Sequence, residues 1–157
     1  MNQKSMTNHS VDIEYAYIDK LENLPAWTCL DEMEDFFHNK MQPYHDSRED
    51  VRRGLLHALS TKENNSGFVL LAHERNSGEI AGGLTMLDTG MKGYVPENLL
   101  LFVAVDPDLR NMGIGHKLIN DALERCSGSV KLHVEKDNPA SRLYSRLGFE
   151  EKYIEMR

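Results

Sequence analysis

Apolar positions along the chain change their spacing several times, and each change marks an element. Ile13, Tyr15 and Tyr17 share one face of a six-residue stretch, which predicts a first strand over 13–18. Trp27, Leu30, Met33, Phe37 and Met41 then recur at steps of three and four, which predicts a helix that begins near Pro25 and is closed by Pro43. Asp31, Glu32, Glu34 and Asp35 suit the early turns of such a helix through its dipole. Ser47-Arg-Glu-Asp50 reads as a capping box with Asp in place of the usual Glu, and Val51, Leu55, Ala58 and Leu59 form the apolar face of a second helix. Residues 60–67 are a loop by composition. Phe68 to His73 and Glu79 to Leu87 predict a hairpin turned by Asn76-Ser-Gly78. Gly82-Gly83 within the returning strand predicts a bulge or a close backbone approach.

After a flexible connection over 88–97, Leu99 to Val105 is unbroken and apolar, the pattern of a strand covered on both faces inside a sheet. From Met112 the spacing is helical again, through Gly115, Leu118, Ile119, Ala122, Leu123 and Cys126, and Ser127-Gly128 ends it. Val130 to Val134 alternates as a strand. Asn138 caps a further helix with Pro139 at its first position, Ala140, Leu143, Tyr144 and Leu147 share its inner face, and Gly148 terminates it. Lys152 to Met156 predicts a last short strand. The order β-α-α-β-β-β-α-β-α-β contains no repeat and no linker. It predicts one α/β (α+β) domain over 1–157, a mixed sheet flanked by helices, with 1–10 as a loose lead-in.

Composition narrows the function more than the fold. The chain of 157 residues has 18 basic and 25 acidic residues, a net charge of −7. That balance argues against non-specific nucleic-acid binding, which needs clustered Lys and Arg. The excess sits in residues 1–96, with 15 acids against 9 bases; residues 97–157 have 10 against 9. Cys29 and Cys126 are distant and make no disulfide framework, so a reducing compartment is expected. The longest apolar run is too short to span a bilayer, and the polar first ten residues hold no apolar signal core. A cytoplasmic protein with no membrane association is the expectation.

The chemistry concentrates where the apolar strand empties into Arg110-Asn-Met-Gly-Ile-Gly115 and a helix follows at once. Free N–H groups and the dipole at a helix start favour an anion. The spacing is neither G-x-G-x-x-G nor G-x-x-x-x-G-K-[ST], so dinucleotide and P-loop readings lose their warrant. Two readings remain from these residues: a tight turn whose glycines serve packing, or a pyrophosphate cradle. In the cradle, N–H groups from Met112 to Gly115 hold the phosphates and Arg110 or Lys117 adds charge. The histidines show no metal-ligand spacing, and no metal is expected.

A second motif, Asn138-Pro-Ala-Ser-Arg-Leu-Tyr-Ser-Arg-Leu-Gly-Phe149, follows the strand from Val130. Together the two stretches closely resemble the GNAT superfamily of N-acetyltransferases. Val105-Asp-Pro107, Arg110, Gly113 and Gly115 fit its V-x-P-x-x-R/Q-x-x-G-x-G/A turn. Asn138, Ala140 or Ser141, Leu143, Tyr144, Gly148 and Phe149 fit its N-x-x-A-x-x-L-Y-x-x-x-G-F helix. The resemblance covers roughly residues 99–149. It implies a sheet of six to seven strands and acetyl-CoA as cosubstrate. In that family the strand before the turn and the strand after its helix splay apart, and pantetheine lies between them. This assigns backbone contacts to Phe102, Val103, Ala104 and Val105. The diphosphate falls to Arg110, Asn111, Met112, Gly113, Ile114, Gly115, His116 and Lys117, and Asn138 reaches the ligand from the next helix start. The Tyr144 hydroxyl would face the thioester sulfur and protonate the departing thiolate, help worth about 10²–10⁴-fold.

The resemblance leaves the acceptor open. Family members often keep a carboxylate base on the central strand, but Leu99 to Phe102 holds no acid. Glu97 is the nearest candidate, beside a plain solvated role; Glu135 and Asp88 are weaker, and an ordered water chain could serve as the base instead. In the family the first two helices wall the acceptor site, so Glu32, Glu34 and Asp35 there would attract a cationic amine, whether small molecule or peptide. Neither cysteine sits where a covalent acetyl-enzyme would form, which implies direct attack in a ternary complex. The edge near Arg157 could pair two copies into a homodimer. A non-catalytic acyl-CoA-binding module with the same fold is the alternative to an enzyme, and a nucleotide-binding domain is a third reading.

Overall fold

The computed structural model describes residues 11–60 and 66–157. Five strands form one sheet in the order β1 to β5: β1 (Ile13–Ile18), β2 (Gly67–Glu74), β3 (Glu79–Asp88), β4 (Asn98–Val105) and β5 (Val130–Leu132). The first four are antiparallel neighbours, and β5 runs parallel to β4. Helices α1 (Leu30–Lys40) and α2 (Arg48–Ala58) cover one face; α3 (Ile114–Arg125) and the short α4 (Ser141–Arg146) lie on the other.

Two cores follow from this layering. Met33, Phe37, Val51 and Leu55 of α1 and α2 bury against Val69, Leu71 and Phe102. Ile114, Leu118, Ile119 and Ala122 of α3 bury, with Tyr144, against Leu70, Leu84, Met86 and Leu100. Ser47 caps α2 as its sequence suggests, accepting from the Asp50 N–H at 3.1 Å. Helix α1 starts at Leu30, later than the Pro25 spacing predicts. A turn closed by Thr28 N–H to Pro25 O holds the preceding residues, and Trp27 stacks on His73 with ring centroids 4.0 Å apart.

Strand β4 carries an irregularity that its uniform apolar sequence hides. Thr85 of β3 pairs with Phe102 and Met86 with Leu100, so Leu101 is an extra residue, a β-bulge. The bulge changes the side that β4 presents. Leu100 faces the α3 core, whereas Leu101, Phe102 and Ala104 face α1 and α2. Both alternatives offered by Gly82-Gly83 are realised: Ala72 pairs with Gly82 and His73 with Ile80, so Ala81 is a bulge beside the glycines, and the glycines themselves mark a close approach. A Cβ on Gly82 would lie 2.8 Å from Ile114 Cγ2, and one on Gly83 would lie 2.7 Å from Phe37 Cζ.

Two strand expectations need correction. The strand expected over Val130–Val134 ends at Leu132, because its pairing with β4 stops there. The strand expected over Lys152–Met156 does not form. Tyr153, Ile154 and Met156 are 92, 83 and 89% exposed, and no neighbouring strand supplies the ladder that alternation alone cannot. The sheet therefore has five strands among the described residues, not six to seven, and the edge expected to pair two copies is not a strand.

Gly54 explains why α2 can sit on the bulge. A Cβ there would meet Leu101 Cδ2 at 2.6 Å and the buried ring of Phe102 at 2.8 Å. Gly54→Ala gains helix propensity of about 1 kcal/mol but overpacks this contact at about 1–3 kcal/mol. The expected outcome is a net loss with Tm lower by about 2–4 °C in thermal unfolding; a raised Tm would show that α2 does not bear on the bulge.

Candidate acyl-donor site

Strands β4 and β5 share only three pairs, from Asn98–Val130 to Leu100–Leu132. Beyond Leu100, β5 leaves, and the edge of β4 from Leu101 to Val105 has no strand beside it on that side among the described residues. Backbone N–H and C=O groups must find partners somewhere. This edge therefore offers polar groups to whatever enters the gap, and Phe102, Val103, Ala104 and Val105 all lie on it.

At the end of β4, Asp106 anchors the chain. Its N–H donates to Ala81 O at 2.8 Å, and its side chain accepts from the Asp108 N–H at 3.0 Å, capping a 3-10 turn over Pro107–Leu109. Arg110 is extended, Asn111 is left-handed at φ 64°, and Gly113 is left-handed at φ 80° immediately before α3. The first backbone bond of α3 is Lys117 N–H to Gly113 O. The N–H groups of Ile114, Gly115 and His116 before it are thus the free donors of a helix start. Gly113 supplies no capping side chain, and the first turn holds no acid. A Cβ on Gly115 would make only ordinary contacts, 3.5 Å to Val105 and 3.6 Å to Leu143, so the protein itself does not demand glycine there. An uncapped helix start next to an unpaired strand edge is a place for an anion that carries an extended polar arm.

The remaining predicted donor residues divide. Lys117 is engaged: its ammonium lies 3.2 Å from Asp121 and 4.9 Å from the centre of the Tyr15 ring. His116 hydrogen-bonds Asn120 at 3.0 Å. Arg110 has no ion pair among the described residues and is the free cation of the turn. Met112 is half-exposed. Asn138 Oδ1 accepts the Ala140 N–H at 2.9 Å, which fixes the turn entering α4. Tyr144 stands on the inner face of α4 in the α3 core, 8% exposed, with Phe149 edge-on at 6.1 Å. Burial pushes its phenol up to about 12, so the hydroxyl stays protonated at physiological pH.

Glu97 is placed at the other end of β4 and is occupied. Its carboxylate accepts the Ser129 N–H at 2.7 Å, and Gly128, left-handed at φ 86°, passes tightly against it. The Ser129 bond holds its pKa below the usual carboxylate value. That geometry ties β4 to the loop before β5 and makes a weak base. Asp88 accepts the Gly90 N–H at 2.8 Å, and Glu135 is exposed. The acids of α1 are also engaged. Arg48 pairs with Glu34 and Asp35, and Arg52 pairs with Asp31 and Glu34. Of the acids singled out there, Glu32 alone has no such pair, so most of the expected acidic wall is neutralised by α2. Cys126 is half-buried and its thiol is pushed up to about 11 by burial, so it is a thiol at neutral pH and a poor nucleophile. Among the described residues no cluster of three or more His, Cys, Asp or Glu could hold a metal, and no helix is long and apolar enough to cross a membrane.

Sequence reasoning missed the loop after α1. Lys40 Nζ lies 3.7 Å from Asp106 at the end of β4, and the Tyr44 hydroxyl donates to Asp137 O at 3.1 Å beyond β5. The last residue of α1 and the loop after it thus tie together the two sides of the open gap. No local signal could have shown this, since the Tyr44 bond joins residues 93 apart.

Comparison with known proteins gives the family and the fold. The sequence model of the Acetyltransferase (GNAT) family matches residues 27–149. An uncharacterized N-acetyltransferase of Methanocaldococcus jannaschii is 30% identical over 135 residues, a match that takes in 79% of this chain and 59% of that protein. The chain thus spans well under two thirds of that relative. An aminoglycoside acetyltransferase from an uncultured soil metagenomic sample, solved with sisomicin, shares the fold with a TM-score of 0.59 at 21% identity, covering 92% of this chain and 94% of that one. The glucosamine-6-phosphate N-acetyltransferase of Arabidopsis thaliana does so with a TM-score of 0.61 at 15% identity, covering 93% and 97%.

The anchoring of Glu97 has a pH signature. Its folded pKa is depressed, so its stabilisation is present above the unfolded value of about 4.3 and is lost as pH falls through the folded pKa. Glu97→Gln is expected to lower Tm at pH 7, with the gap to the parent chain narrowing as pH drops below about 4. A gap independent of pH would show that the charge on Glu97 holds nothing.

Proposed function

The chain belongs to the Acetyltransferase (GNAT) family, and we propose that it moves the acetyl group of acetyl-CoA to a primary amine by direct attack in a ternary complex. One observation carries this reading: β4 loses β5 after Leu100 and ends at an uncapped helix start. An acyl-CoA has the matching shape, a hydrogen-bonding pantetheine arm between a thioester and a diphosphate. The arm lies along Leu101 to Val105, and the diphosphate takes the free N–H groups after Gly113 with Arg110 beside them.

The reaction needs few protein groups. The acceptor must shed a proton to become nucleophilic. Glu97, held by Ser129, is poorly placed to take it, so the proton leaves to solvent. The amine nitrogen then attacks the thioester carbonyl, a C–N bond forms, and the resulting tetrahedral intermediate collapses with loss of the C–S bond and of the second amine proton. CoA departs as a thiolate. Tyr144, a protonated phenol at neutral pH, donates a hydrogen bond to that sulfur and lowers the cost of the charge. No covalent acetyl-enzyme is required, in keeping with the raised pKa of Cys126.

Structural neighbours that acetylate aminoglycosides and glucosamine 6-phosphate make amino sugars the first acceptor class to test. The neutralised carboxylates of α1 give no support to selection for cationic acceptors. A panel of amines with acetyl-CoA, read by release of free thiol, should give turnover. Tyr144→Phe should keep CoA binding and lose about 10²–10⁴-fold in kcat. Unchanged kcat would remove Tyr144 from the mechanism. Tight CoA binding with no turnover on any amine would favour a non-catalytic acyl-CoA-binding module.

A further inference from the structure

A histidine stands where β5 parts from β4. The last pair of that ladder is Leu100 with Leu132, so Leu101 and His133 are the first residues on either side of the opening. At the last pair the strands are about 4.8 Å apart. His133 is exposed, and its ring has no hydrogen bond, ion pair or ring contact among the described residues.

The side it faces follows from the strand before it. Val130 and Leu132 pack against the α3 core, and alternation turns the residue after Leu132 to the other side of the sheet. Leu101 and Phe102 face that same side, toward α1 and α2. The loop after α1 reaches the segment just beyond, where the Tyr44 hydroxyl donates to Asp137 O at 3.1 Å. A diphosphate at the start of α3 sets the direction of the donor, with the thioester at the far end of the arm, beside Leu101. Tyr144 belongs to the α3 core and meets the thioester from there. An amine then comes to the carbonyl from the α1–α2 side, the side of His133.

We propose that His133 takes the proton of the acceptor amine. The proposal rests on the acetyl-CoA reading and gives the proton its route to solvent. A neutral ring nitrogen accepts the proton of the bound alkylammonium and becomes imidazolium. The freed lone pair attacks the thioester carbonyl and the C–N bond forms. Collapse breaks the C–S bond, and its electron pair leaves on sulfur, beside the Tyr144 hydroxyl. Being exposed, the imidazolium returns its proton to water, and the neutral ring then takes the second proton shed by the nitrogen. Imidazole suits the task because it ordinarily gains and loses a proton near neutrality. The acids Glu97 and Asp88 are held by the Ser129 and Gly90 N–H groups. The charged and titratable groups around His133 are Lys131 and Glu135 on its own segment and Tyr44 from the loop after α1. The Tyr44 phenol is pushed up by burial, with Asp137 and Glu135 adding to it. Strand β4 adds none, since Leu99 to Val105 carries no titratable side chain, and α4 presents Tyr144 from the opposite side.

Turnover of acetyl-CoA with the amine panel, read by free thiol, tests this in the parent chain and in His133→Gln, with CoA affinity measured alongside by calorimetry. At neutral pH the variant should bind CoA as the parent does and lose about 10²-fold in kcat. The deficit should shrink as pH is raised to about 9, where more of an alkylamine is neutral without help. An equal kcat, a deficit of the same size at every pH, or a loss confined to CoA affinity would overturn the role of His133 and leave the acetyl-CoA reading standing. CoA binding by the parent chain with no turnover on any amine, or no CoA binding at all, would instead bring down that reading, and the proton acceptor with it.

Discussion

Backbone polar groups in a sheet interior need partners, and β4 is built so that half of one edge has no neighbouring strand among the described residues. Its parallel pairing with β5 stops at Leu100, and an extra residue, Leu101, interrupts its pairing with β3 at the same level. A bulge twists and bends the strand that carries it. The two departures from regular pairing coincide, and the gap that results is where the proposed chemistry lies. The surrounding packing makes this bend tenable. Gly54 lets α2 close on Leu101 and Phe102, while Gly82 and Gly83 let α3 and α1 press on the strand next door. Large side chains fill both faces, so the strand cannot relax toward either one.

Charge is arranged around the same gap. On the α1–α2 side, carboxylates and arginines neutralise one another. At the end of β4, the helix start has neither a side-chain cap nor an acid in its first turn, and Arg110, without an ion pair among the described residues, stands in the turn before it. A net charge of −7 therefore coexists with a locally anion-receptive end. Tyr144 sits on the intervening helix, buried enough to remain a phenol. Lys40 at the end of α1 and Tyr44 in the loop after it bind the ends of the two diverging segments to one another.

How much of this can be read from the sequence depends on the range of each interaction. The turn at Arg110–Gly115 and the inner face of α4 were legible because glycine conformation and helix faces are local properties; the cap was misplaced, since α4 starts at Ser141 and Asn138 serves the turn before it. The Leu101 bulge was not legible, because Leu99 to Val105 is apolar throughout and its register has no polar marker. The last strand was misread for a related reason. Tyr153 and Ile154 carry strand propensity, but a strand exists only with a neighbour, and none lies beside them among the described residues. Glu34 and Asp35 read as part of an acidic wall for a cationic acceptor because the arginines that neutralise them lie on a different helix. Glu97 has strand parity with Leu99, yet its Ser129 bond is a tertiary contact that no spacing announces.

The central claim is that one strand edge and one helix start together hold the acyl donor. Backbone amide shifts on titration with acetyl-CoA address it residue by residue. The account predicts the largest changes at Leu101 to Val105 and at Met112 to His116, with slowed hydrogen exchange of the same amides. Changes confined to other elements, or none at saturating ligand, would contradict it.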